Sequence, residues 1–322
     1  MINLIIKDGL GNQMFQYAYT RYLKYQYEQQ GKEEEIVINP YYINKYDYRK
    51  VSLQNFKLND SVTFMNLAKQ NANMNAFMAR TIIANGTDLI SWKILKKSKP
   101  LGEEKFLKRS RRGLYYTYRS QTEFKTVLSK AKNKYVFGCF QGESNFAPIS
   151  DIIRQEFEFK TEPNEQNKIM LRQIESTEAI CLHIRRGDYL NPEWRNLQIC
   201  TFEYYNRAIN EIMKRTNNPV FYIFTNTHQD IEWIKENYHF TNSVNNKQLR
   251  LVYVDLGNPD YEELRLMKSC RHFIISNSTF SWWAAYLSTA LNKVVLVPER
   301  WNLSFENDNS IYLKDWIKIP TR

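Results

Sequence analysis

Two consecutive arginines, Arg185 and Arg186, stand where an uncharged run ends: residues 179–184 are interrupted only by His183, and Gly187 and Asp188 follow. Guanidinium groups stay charged and offer forks of donors that match phosphate oxygens, so two in succession suit a diphosphate. Asp188 can brace an arginine or accept a proton; an internal Arg–Asp ion pair closing the turn is the structural alternative. Two further stretches suit the same anion. GLGNQ, residues 9–13, brings Gly9, Gly11 and Asn12 to the start of a helix, where backbone amides favour negative charge. It lacks the third glycine of the dinucleotide fingerprint, and a plain tight turn reads equally well. In ISNSTFSWWAAYL, residues 275–287, Ser276, Asn277, Ser278 and Thr279 open a helix, serving either as caps or as a phosphate seat. Trp282 and Trp283 read as core.

Absences narrow the chemistry. No two aspartates are two residues apart, so there is no DxD to hold a metal on a nucleotide sugar. There is no HExxH, no phosphate-binding GxxxxGK[ST] loop and no GxSxG elbow. A diphosphate would be neutralised by arginines and helix termini, with no metal and no cofactor.

These groups need a scaffold that ends strands beside helix starts, and the sequence supplies one. From residue 177 short apolar runs alternate with helical patterns: strands at 179–184, 220–225, 251–254, 272–276 and 293–297, helices at 202–215, 230–238, 261–269 and 279–290. Residues 2–7 and 12–30 read as a first strand and helix, and 135–140 as another strand. Nearly continuous apolar strands between helices indicate an α/β fold with a parallel, doubly wound sheet, whose ligands sit beyond the strands' carboxyl ends. Alternation turns His183 and Arg185 one way and Ile184 the other. Residues 44–134 are polar, basic and hard to assign. The expected division is an N-terminal domain, 1–160, a C-terminal domain, 161–300, and a segment, 301–322, packing back on the first, with a linker at 161–167.

Length and composition agree with two cores: 322 residues, 43% hydrophobic and 15% aromatic. Cys139, Cys181, Cys200 and Cys270 are widely spaced, which suggests reduced packing residues. The absence of a signal pattern or a long apolar run leads us to expect a cytoplasmic chain. The net charge of +11 is concentrated: residues 93–112 hold nine Lys or Arg against Glu103 and Glu104, after the apolar-rich DLISWKIL. This segment reads as a solvated basic face, or more sharply as a contact with an anionic membrane surface at the inner face of the membrane. No nucleic-acid recognition module is present.

GLGNQMFQYA, GCFQGESNF, HIRRGDYL, NSTFSWWAAYL and VPERW, taken in that order along the chain, resemble the α-1,2-fucosyltransferases of glycosyltransferase family eleven; residues 58–134 carry none of the likeness. The resemblance implies a GT-B architecture, two Rossmann-like domains facing a cleft, with the acceptor on the N-terminal side and GDP-fucose held by the C-terminal domain. It implies metal-independent, inverting transfer from this donor substrate to the 2-hydroxyl of a galactose in an oligosaccharide or lipid-linked glycan. It places Arg185 and Arg186 on the diphosphate, with Ser278, Thr279 and Phe280 lining GDP. Glu263 stands where relatives bind guanine through an acidic residue, although an aspartate is expected there. The stretch 226–229 lacks the family's SDD-like turn. Asp188, Glu143, His183 and Asp8 are the candidate bases. The alternatives are another GDP-fucose-dependent or phosphate-donor transferase, or a non-catalytic glycan-binding protein.

Overall fold

A computed structural model describes residues 1–46, 49–95, 102–117, 126–244, 248–303 and 311–321; the side chains of residues 85–95, Glu104 and Asp188 also lie outside the description. The chain forms two compact units, Met1–Lys160 and Thr161–Arg322.

The first unit runs β1 (Ile2–Ile5), α1 (Leu10–Glu28), β2 (Ile36–Asn39), α2 (Tyr41–Tyr46), β3 (Val62–Phe64), α3 (Leu67–Leu95), α4 (Glu103–Arg111), β4 (Leu114–Tyr116), β5 (Lys134–Phe137) and α5 (Ser150–Glu156). Its sheet has the order β3-β2-β1-β5-β4, every pair parallel. All four residues of β1 are buried, as a central parallel strand requires. The helix α1 is buried on nearly every side, so its polar residues are paired: Arg21 Nε donates to Glu156 Oε1 at 2.9 Å. The stretch that was hard to assign holds β3, α3, α4 and β4. Strands of three residues are too short to show a period, and α3 carries large apolar residues on its exposed side as well as its buried one, which blurs its helical period.

The second unit runs α6 (Glu165–Glu175), β6 (Glu178–His183), α7 (Phe202–Met213), β7 (Pro219–Phe224), α8 (His228–Asn237), β8 (Arg250–Tyr253), α9 (Asp260–Lys268), β9 (His272–Ile274), α10 (Thr279–Leu287), β10 (Val295–Pro298) and β11 (Ile317–Ile319). The observed elements lie within a few residues of the sequence-based ones. All strands are parallel in the order β11-β10-β9-β6-β7-β8. Counted within the unit this is 6-5-4-1-2-3, the dinucleotide-fold order, which reverses direction between β6 and β9. The core stacks Ile180, Leu182, Phe221 and Ile223 against Tyr204, Tyr205 and Ile209 of α7. Trp282 and Trp283 are fully buried. The C-terminal segment contributes β11, which pairs with β10 and extends the second sheet, because the open edge of β10 offers backbone donors and acceptors in register. Among the described residues no helix is long and apolar enough to cross a membrane.

Candidate active site at the strand ends

In a doubly wound sheet the two strands flanking the reversal send their following loops to opposite sides, opening a crevice beyond their carboxyl ends. In the second unit those strands are β6 and β9, so His183, Arg185 and Arg186 leave one lip, and Ser276–Phe280 leave the other. The lips are tied together, His183 Nδ1 lying 2.9 Å from Ser276 Oγ. Burial, and then the charge of Arg185, push the His183 pKa down to about 3. The shift favours the neutral imidazole, whose bond to Ser276 holds the two lips together.

Arg185 and Arg186 point to different neighbours. The Arg185 guanidinium lies 5.0 Å from the centre of the Tyr189 ring, and the Tyr189 hydroxyl donates to the Asn277 carbonyl at 3.0 Å, which joins this arginine to the β9 lip. Asn277 is itself fixed, its amide donating to the carbonyls of Leu197 and Trp301. Arg186 is engaged by α8: its Cζ sits 3.2 Å from the centre of the Trp233 ring, and its Nε 3.4 Å from Asp230 Oδ1. Its backbone N–H donates to Asn226 Oδ1. Gly187 adopts φ +46°, and a Cβ there would lie 3.1 Å from Asn226 Cγ, so this turn needs glycine. The internal Arg–Asp pair thus exists, but with Asp230; the Asp188 side chain lies outside the described residues.

Asp230, Trp233, Asn226 and Tyr189 were not identified from the sequence. Only Asp230 left a local signal, as the third residue after Thr227, whose Oγ1 accepts from the Asp230 N–H at 3.1 Å to cap α8. Opposite Arg185, Ser278 is the N-cap of α10 but makes no side-chain cap bond. Thr279 and Phe280, both half-buried, form the first turn, where the helix dipole favours an anion. Glu263 on α9 is half-buried, and burial, followed by the charges of Asp255 and Asp260, raises its pKa to about 8.

The first unit has its own reversal, between β1 and β5. Gly9, Gly11 and Asn12 start α1 there, and Glu143 lies in the turn after β5. Asn12 Oδ1 accepts from Gln141 Nε2 at 2.9 Å, joining the two strand-end loops; Gln141 was another residue the sequence reading did not single out. Gln13 locks the helix start, donating to the carbonyls of Asp8 and Lys50. Asp8, at φ +66°, is 3.4 Å from Lys7 Nζ. Among the described residues no three His, Cys, Asp or Glu side chains are grouped to hold a metal ion.

Two Rossmann-like units, each with polar groups gathered at the strand-order reversal, place the protein in the GT-B fold class of glycosyltransferases. The family model for glycosyl transferase family 11 matches residues 1–320, and the chain belongs to that family. It is 28% identical to an α-1,2-colitosyltransferase of Escherichia coli over 92% of this chain and 90% of that protein. It is 25% identical to human galactoside α-(1,2)-fucosyltransferase 1 over 54% of this chain and 49% of that one. The structure of the fucosyltransferase NodZ from Bradyrhizobium is similar with a TM-score of 0.48 at 11% identity, covering 88% of this chain and 91% of that one.

Proposed function

We propose that this enzyme moves L-fucose from GDP-β-L-fucose to the 2-hydroxyl of a galactose in a glycan, with inversion and without a metal. The observation that carries the reading is the full-length family match, with Arg185 and the uncapped start of α10 at one strand-order reversal. The second unit holds the donor and the first receives the acceptor. As the glycosidic bond to fucose breaks, negative charge grows on the leaving phosphate; Arg185 and the α10 amides stabilise it. The galactose hydroxyl attacks from the opposite face and loses its proton to water or to one of the candidate bases Asp188, Glu143, His183 and Asp8. Asp230 acts indirectly, by holding Arg186 and with it the turn that carries Arg185. The enzyme works in the cytoplasm on an oligosaccharide or lipid-linked acceptor, in peripheral contact with the membrane.

The test is incubation of the purified protein with GDP-fucose and a panel of galactosides in excess EDTA, with the product linkage read by NMR. An α-1,2-fucosyl product is expected. Activity that requires added Mn²⁺ or Mg²⁺ overturns metal independence, and no GDP release with any galactoside overturns the reading. The α-1,2-colitosyltransferase relative supports a second donor, GDP-colitose, to be run in parallel.

Glu263 supplies a further prediction. Guanine presents two N–H donors that fit a carboxylate, yet a carboxyl with a pKa of about 8 is mostly protonated at pH 7. GDP binding at pH 7 is therefore expected to release about one proton, and affinity to rise with pH up to about 8. Calorimetry in buffers of different ionisation enthalpy measures the release. The Glu263→Gln variant should release none; equal release from both proteins removes Glu263 from the guanine site.

A further inference from the structure

We propose that the outer face of α3, with the cationic turn beside it, is a docking surface for an anionic lipid bilayer. The proposal deepens the peripheral contact named above, and rests on that reading only for its purpose. At 29 residues α3 is about 43 Å long, far longer than the strands it crosses. Its inner side buries Met74 and Phe77 against the sheet. Its outer side exposes Met78 (47%), Ile82 (54%) and Ile83 (80%), with Ala72, Ala76 and Ala79 exposed between them. From residue 70 to 84 Arg80 is the sole charged residue, and it turns inward: Nη1 donates to the Asn133 carbonyl at 2.9 Å, and the guanidinium lies 5.4 Å from the Tyr135 ring centre. The outer face from residue 70 to 84 is therefore uncharged as well as exposed, its exposed polar residues being Asn71 and Asn75, unlike the charged face an ordinary surface helix presents to water.

The same Arg80 bond sets α3 against residues 129–133, where Lys130 and Lys132 are exposed. That turn packs on the end of α4. Ser129 Oγ donates to the Arg111 carbonyl at 3.0 Å, and Ala131 Cβ lies 3.0 Å from where a Gly113 side chain would begin. Arg111 and Arg112 are exposed there too, with Lys108 one helical turn away. Of the acids in this region, Glu34 is paired with Lys134 and the Met1 amine, while Glu33 and Glu35 are exposed beside it. Exposed isoleucines, with exposed cations that form no ion pair among the described residues, match the acyl boundary and the headgroups of an anionic bilayer, and charge complementarity selects that occupant. Residues 96–101, which hold three more lysines of the basic segment, lie outside the described residues.

The experiment is co-sedimentation of the full chain with vesicles of phosphatidylglycerol and phosphatidylcholine, and with phosphatidylcholine alone. Binding to the anionic vesicles only is expected, with release at about 0.5 M salt, where screening shortens the field to roughly 4 Å. Reversing Arg111, Arg112, Lys130 and Lys132 to Glu should lower partitioning by roughly several hundredfold. The pair Ile82→Ser and Ile83→Ser should lower it roughly tenfold or more. Both variants should keep transfer to a soluble galactoside, a readout that separates failure here from failure of the proposed function. The proposal is overturned if the wild-type chain ignores anionic vesicles at low salt. It is equally overturned if either variant binds as the wild type does, or if the isoleucine substitutions only convert a dimer to monomers.

Discussion

Arg185→Ala is expected to reduce transfer by roughly 10²–10³-fold in kcat/KM, with the thermal melt little changed. The reason is that a donor aimed at charge developing in the transition state is worth about 3–4 kcal/mol. The residue lies just beyond β6, half-buried, with its guanidinium beside Tyr189 rather than in the core, so truncation removes charge without opening the sheet. Arg185→Lys should recover little, because an ammonium is a point charge and cannot present two parallel N–H donors. GDP affinity should fall together with turnover, measured by calorimetry alongside steady-state kinetics. Near-normal turnover for Arg185→Ala would take the diphosphate away from this strand end.

Trp282→Ala should destabilise the second unit by about 3–5 kcal/mol, the usual cost of emptying a buried aromatic site. Trp282 is fully buried, stacks on Tyr286 with ring centres 4.8 Å apart and meets Trp283 edge-on at 5.0 Å. Its Nε1 donates to the Ile311 carbonyl at 2.7 Å, so truncation also leaves a buried acceptor without its donor. Because total stability is on the order of 5–15 kcal/mol, the melting temperature should drop by roughly 10 °C or more. Trp282→Phe should recover most of the packing and none of the hydrogen bond. A loss below about 1 kcal/mol, by denaturant titration, would show that α10 is not anchored through this ring. Transfer should weaken as well, since α10 carries Ser278 and Thr279 at its start.

The sequence by itself determined what depends on near neighbours. Apolar runs such as 179–184 and 220–225 are strands because both faces are buried, and α10 begins just after Ser278, a residue type that favours helix starts although its side chain makes no cap bond here. A strand's end follows from the same pattern, so the place of Arg185 at a carboxyl end is legible in the sequence. The tertiary structure decided what depends on residues far apart in the chain. Arg185 and Arg186 are chemically identical, yet one lies beside the β6–β9 reversal and the other is taken by Asp230 and Trp233, 44 and 47 positions further on. The lowered pKa of His183 comes from burial and then the charge of Arg185, in a place fixed by Ser276, 93 residues away, and the elevated pKa of Glu263 from burial and the company of Asp255 and Asp260. Likewise β11 and the three-residue strands of the first unit owe their existence to an edge already formed beside them. Periodicity and capping act within a few residues, whereas strand order, desolvation and charge pairing arise only once distant segments share one interior.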